Sequence, residues 1–292
     1  MYMVIKHIVL AGGAYKGLYE LGALKYLSNS EFYSIGNIKS IHGTSIGGLV
    51  GTILSLDIPW ETIDEYVIKR PWYKITNVSP MMLLDILPKK GLLGYDFFKS
   101  VLEPLLHSKE LDVDINLKDF YEITKINLCL YTINLNTFEL VQISHKTFPE
   151  MELIKAVNMT CCLPYIFQPV WHEDSYYIDG GLINNYPIDY AILSENIEDN
   201  REILGITFDT NETDNNLSKE SNIFEYGYYI YKKMVMRPEA IVNTIPYELI
   251  IPCKELNVDE GYKTLVNSES RAKYIEDGEN FAKIFHNMIL KE

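Results

Sequence analysis

Cysteine is scarce in this chain. The four present, Cys129, Cys161, Cys162 and Cys253, show neither paired metal-ligand spacing nor the density of a disulfide framework. Two of them are adjacent, and reduced thiols in a cytosolic protein are the plain reading. Long apolar runs are missing as well. No stretch approaches the roughly 20 apolar residues that cross a bilayer, and the opening "MYMVIKHIVLAGG" carries only a short run, that of a buried strand leading into a glycine turn rather than a signal peptide. A soluble, cytoplasmic protein is expected, peripheral where it meets a membrane, with delivery into another cell left open. Positive charge is in deficit, with 26 Lys and Arg against 40 Asp and Glu for a net charge of −14. That balance argues against broad attraction to nucleic acid or to anionic membrane surfaces. Any lipid contact must therefore be local and apolar.

What is present is a globular composition, 292 residues with 47% hydrophobic, enough for one large core. "MVIKHIVL" reads as a strand, "AGGAYKG" as a turn, and "YKGLYELGALKYLS" as a helix with Leu18, Leu21, Ala23, Leu24 and Leu27 at near-helical spacing. "IKSIH" and "SIGGLVGTILSL" repeat the strand-to-helix step, which predicts a parallel sheet covered by helices. "PWETIDEYVIKR" and "YDFFKSVLEPLL" are expected helices, the second kinked or ended by Pro104. The apolar stretch "SPMMLLDILPKKGLLG" reads as a short core helix with a loop, or as a lid within residues 72–94. "KINLCLYTINLNTFELVQIS" predicts a hairpin turning near Asn136, and "SYYIDGG" a strand ending in a turn. A single domain over 1–292 is expected, with residues 4–210 bearing the motifs and a helical part, 211–292, packed on that core.

Three short segments carry the chemistry. "HGTSIGG" places Ser45 at a sharp strand-to-helix turn between Gly43 and Gly47, where a hydroxyl is exposed and a helix N-terminus favours developing negative charge. The same residues also fit a helix N-cap serine in a tight turn. "AGGAYKG" offers free amides before a helix. A phosphate-binding loop would need Lys-Ser or Lys-Thr after Gly17, and a dinucleotide loop would need glycine at 14, so an oxyanion loop fits better. "YYIDGGLINNYP" holds Asp179 at a strand end before Gly180 and Gly181, which alone is ordinary turn chemistry.

Together the three segments resemble the patatin-like phospholipases. Their glycine-rich loop is matched by Gly12-Gly13-Ala14-Tyr15-Lys16-Gly17, their nucleophile turn by Gly43-Thr44-Ser45-Ile46-Gly47, and their downstream aspartate turn by Asp179-Gly180-Gly181. "CCLPYIFQPV" is similar to the family's Pro-x-x-Phe-x-Pro stretch before the aspartate. The resemblance covers about residues 4–210. It implies a three-layer α/β/α fold around a mostly parallel sheet, and an acyl hydrolase acting on phospholipid or another acyl-ester lipid. It also implies a Ser45–Asp179 dyad, with Gly12, Gly13 and Ala14 as oxyanion donors and Lys16 bracing the loop or meeting a phosphate. Ala14 departs from the family's usual glycine, and its Cβ resists positive φ. A non-catalytic lipid- or partner-binding protein on the same fold is the alternative.

Chain order supports a dyad independently. A Ser, acid, His triad would leave only His286 beyond Asp179, in "NFAKIFHNMIL", where a packed or surface histidine is the simpler reading. No metal or cofactor is required by this scheme, and no ligand cluster is visible in the spacing.

Overall fold

The structure, a computed structural model, describes residues 4–76, 87–211, 243–254 and 258–291, with isolated positions at 217, 219, 221, 226, 229 and 256. The expected lid segment lies partly outside these residues. One eight-stranded sheet organises the chain. Its strands are β1 (His7–Leu10), β2 (Ser40–Thr44), β4 (Asn127–Asn134), β5 (Glu139–Ile143), β7 (Val170–His172), β8 (Ser175–Asp179), β9 (Ile203–Asn211) and β10 (Tyr247–Lys254). The order across the sheet is β10-β9-β1-β2-β4-β8-β7, with β5 also on β4, while β3 (Gly91–Leu93) and β6 (Tyr165–Phe167) form a separate pair. From β10 to β4 every pairing is parallel, and β5, β8 and β7 add antiparallel pairings.

Alternation along β1 shows why the sheet is covered on both sides. Ile8 and Leu10 enter the large core with α1 (Gly17–Asn29) and α2 (Ile46–Ser55), whereas Val9 and Ala11 enter a smaller core with Ile188 and Ala191 of the helix Ile188–Glu195. Helices thus sandwich the sheet. The long helix Ser268–Ile289 lies on α1, and two glycines set their approach: a Cβ on Gly22 would stand 1.9 Å from the Ile275 carbonyl oxygen, and one on Gly278 2.2 Å from that of Tyr19.

The helix Tyr95–Ser108 contains Pro104 and does not end there, since proline removes one amide donor but a tertiary scaffold holds the turn on either side. One expectation needs correction. The C-terminal part is not helical throughout: Tyr247–Lys254 is the edge strand β10, paired in parallel with β9. Pairing with a strand some forty residues upstream leaves no mark in local periodicity.

Candidate active site

Register delivers the serine to the aspartate. Thr44, the last residue of β2, lies opposite Tyr131 of β4, and the next residue of β4, Thr132, lies opposite Asp179 at the end of β8. Ser45, one step past Thr44, therefore emerges beside Asp179. Ser45 Oγ donates to Asp179 Oδ2 at 2.6 Å, and the Gly181 amide donates to Oδ1 at 2.8 Å.

Ser45 stands at the N-cap position of α2, yet its side chain makes no capping hydrogen bond. Its hydroxyl is spent on the aspartate, so the plain helix-cap alternative is set aside. The residue sits at φ 56, ψ −128, a left-handed conformation costly for any side chain but glycine. Packing holds it there. The Ser45 amide donates to Thr160 Oγ1 at 2.9 Å, Thr160 in turn donates to the Tyr131 carbonyl at 2.6 Å, and the Cys161 thiol donates to the Ser45 carbonyl at 3.0 Å. A Cβ at Gly43 would lie 2.5 Å from the Gly47 and Gly48 backbone, so strand and helix could not close around the serine with anything larger there.

Asp179 is 2% exposed. Burial raises its carboxyl to about 6 from an ordinary 3.8, while the bonds from Ser45 and Gly181 hold it back. A carboxylate too weak as a base in water is strengthened by the removal of that water. No histidine bonds to Ser45 or Asp179 among the described residues. His42, nearest in sequence, is fully buried with Nδ1 2.8 Å from the Tyr131 hydroxyl and Nε2 3.2 Å from Ser40 Oγ. Desolvation drives its pKa down to about 3. His286 packs against Tyr26 and Phe32.

The glycine-rich loop lies alongside: a Cβ on Gly12 would come within 3.1 Å of Ser45 Cβ. Here the structure trims the expected donor set. The Gly12 amide already donates to the Asn185 carbonyl at 2.9 Å, so it is not available to an oxyanion. Gly13 and Ala14 remain, with no acceptor for their amides among the described residues. Lys16 is 3% exposed with Nζ over the Phe208 ring at 5.5 Å, a bracing position beneath the loop. Asn185 was not singled out by sequence, although it stands six residues past Asp179. Its Nδ2 donates to the Gly12 carbonyl at 2.9 Å, so both ends of the residue tie the aspartate turn to the glycine loop.

The family model described as patatin-like phospholipase matches residues 8–192, the span that holds all three motifs. The chain belongs to the patatin-like phospholipase family. A probable lipid hydrolase, 463L, of Invertebrate iridescent virus 6 is 30% identical over 191 residues, 65% of this patatin-like chain and 64% of that protein. The chain thus spans just under two thirds of that relative's length. An uncharacterised protein, R571, of Acanthamoeba polyphaga mimivirus is 29% identical over 284 residues, 89% of this chain and 92% of its own. Among solved structures, VipD from Legionella pneumophila superposes with a TM-score of 0.58 at 16% identity, covering 98% of this chain and 67% of VipD. A chain of the ExoU–SpcU complex of Pseudomonas aeruginosa gives 0.50 at 16% identity, covering 100% and 53%. The shared feature is the patatin-like fold, a mostly parallel sheet between helical layers. No helix among the described residues is long and apolar enough to cross a membrane.

Ala14 adopts φ 49, so at the family's usual glycine position this patatin-like chain puts an alanine into left-handed backbone. Ala14→Gly should leave stability within about 1 kcal/mol, because relief of the left-handed cost offsets the added freedom of the unfolded chain. Activity on bulky esters should hold or rise, since residue 14 is exposed at the loop. Denaturant midpoints and kcat on short and long esters check both.

Proposed function

We propose that this chain is a lipid acyl hydrolase cleaving acyl esters, of the phospholipase A or esterase type, through a serine acyl-enzyme. The observation that carries the reading is the 2.6 Å bond from Ser45 Oγ to a buried carboxylate whose second oxygen is held by the Gly181 amide. Asp179 takes the hydroxyl proton as Oγ attacks the ester carbonyl, and the Gly13 and Ala14 amides receive the charge that builds on its oxygen. Asp179 returns the proton to the leaving alcohol. Water then repeats the cycle and frees the acid.

Exposed Tyr165 and Ile166 supply the local apolar contact that an acidic protein needs at a lipid surface. They follow the helix Leu153–Cys161, whose last residues grip the Ser45 backbone. A cavity of about 260 Å³ near Lys155, Asn158 and Gln168 includes neither Ser45 nor Asp179, and is not assigned to the acyl chain.

Hydrolysis of a short p-nitrophenyl ester and of defined phospholipid vesicles tests the reading. Only the ionised carboxylate accepts a proton, so kcat/KM should be full above pH 6 and fall about tenfold per pH unit below it, following the Asp179 value of about 6. A flat profile from pH 4 to 8, or no turnover of either substrate, would count against it.

A further inference from the structure

One face of the sheet carries a polar cluster that ester hydrolysis does not use. In the parallel pairing of β2 with β4, Ser40 lies opposite Asn127 and His42 opposite Cys129, so all four share a face. The helix Ile188–Glu195 packs over that face and ends on Glu195. A ring nitrogen of His42, the Cys129 sulfur and a Glu195 carboxylate oxygen all lie within 4.8 Å of one another. His42 and Cys129 are completely buried, while the Glu195 side chain keeps 12% of its surface in solvent and leaves a route inward.

The second sphere is in place. His42 Nδ1 faces the Tyr131 hydroxyl at 2.8 Å, which fixes the ring, and Nε2 lies 3.2 Å from Ser40 Oγ and 3.8 Å from Glu195 Oε1, so an ion on Nε2 would displace the Ser40 contact. The gap to Glu195 is too long for a hydrogen bond and a few tenths of an ångström beyond the roughly 3.4 Å edge of a tetrahedral site with bonds near 2.0–2.3 Å. Asn127 borders the cluster. It is 3% exposed, and its Nδ2 donates to Glu195 Oε1 at 2.6 Å, which orients that carboxylate.

We propose that His42, Cys129 and Glu195, with a water as fourth donor, form a site for a divalent ion of the zinc type. Thiolate and imidazole together select a borderline-soft metal over calcium or magnesium. On binding, the Cys129 thiol gives up its proton to solvent as the metal–sulfur bond forms. Lys146, half exposed with Nζ 3.4 Å from Glu195 Oε1, releases the carboxylate by turning outward. Since β2 ends just before Ser45 and the helix follows the Asp179 turn, an ion here cross-links the segments carrying both residues. Sequence concealed the site because its donors are 87 and 66 residues apart along the chain.

Cobalt titration of the chelator-stripped full chain tests the site. One equivalent of Co²⁺ should produce a near-ultraviolet thiolate-to-cobalt charge-transfer band that Zn²⁺ displaces, and Zn²⁺ alone should raise the melting temperature. Cys129→Ser should abolish the band, Glu195→Ala should weaken Co²⁺ binding at least about tenfold, and Cys253→Ser should change neither. If Cys129→Ser fails to fold, Glu195→Ala decides, because Glu195 is the last residue of its helix and lies outside the fully buried core. No band at one equivalent, a band that survives Cys129→Ser, or unchanged affinity in Glu195→Ala overturns the proposal.

Discussion

Asp179→Asn should lose ester hydrolysis on the order of 10³-fold and yet melt at a higher temperature than the unaltered protein at pH 8. The loss follows from the geometry. The asparagine amide occupies the same space but accepts no proton, and no other base bonds to Ser45 among the described residues. The gain in stability follows from burial. The native carboxyl sits near 6, against 3.8 ordinarily, so between those values the folded state binds more protons than the unfolded state, and stability falls as pH rises through that window. Above pH 6 the charged native form bears a cost on the order of 3 kcal/mol, which asparagine removes. The melting advantage should therefore be largest above pH 6 and vanish near pH 4. Thermal melts at pH 4, 6 and 8 measure it, and a variant less stable at every pH would contradict the burial argument.

Ser45→Ala should be the most damaging single change, at least about 10³-fold in kcat/KM, because the attacking atom itself is gone. A fluorophosphonate should modify the unaltered chain once, on the peptide containing Ser45, and leave Ser45→Ala unlabelled. Its fold should survive, because the Ser45 amide and carbonyl keep their bonds to Thr160 and Cys161. Ser45→Gly should be equally inactive but more stable than Ser45→Ala by about 1 kcal/mol, since only glycine takes φ 56 without strain. Residual turnover above about one per cent in either variant would mean that another residue attacks the ester.

These two residues were legible in the sequence for a local reason. A nucleophile turn and an aspartate turn each need glycines within a few positions, so "GTSIG" and "DGG" announce themselves before any fold is known. The strand-helix-strand start was legible too, because apolar periodicity over "MVIKHIVL" and "GLYELGALKYL" is a property of neighbouring residues. What escaped depends on contacts across long intervals. The withdrawal of Gly12 from the donor set comes from Asn185, 173 positions away. The Ser45 backbone is held by Thr160 and Cys161, which carry no motif of their own. Among the described residues β10 pairs with β9 alone, and exposed Ile250, Pro252 and Lys254 against buried Leu249 and Ile251 show an edge strand whose alternation fades at half-buried Tyr247 and Glu248. Ala14 looked like a position that resists left-handed backbone, and the structure places it there nonetheless.

Kinetics of Asp179→Asn beside single substitutions of His7, His107, His145, His172 and His286 test most directly that a carboxylate, without a histidine, activates Ser45. His42 stands apart, being neutral and enclosed between Tyr131 and Ser40. The expected result is that all five histidine variants keep kcat/KM within about tenfold, the scale of indirect packing damage, while Asp179→Asn falls toward the level of Ser45→Ala. A histidine variant that melts like the unaltered protein but loses hydrolysis as completely as Ser45→Ala, or an Asp179→Asn protein that keeps its activity, would contradict the account.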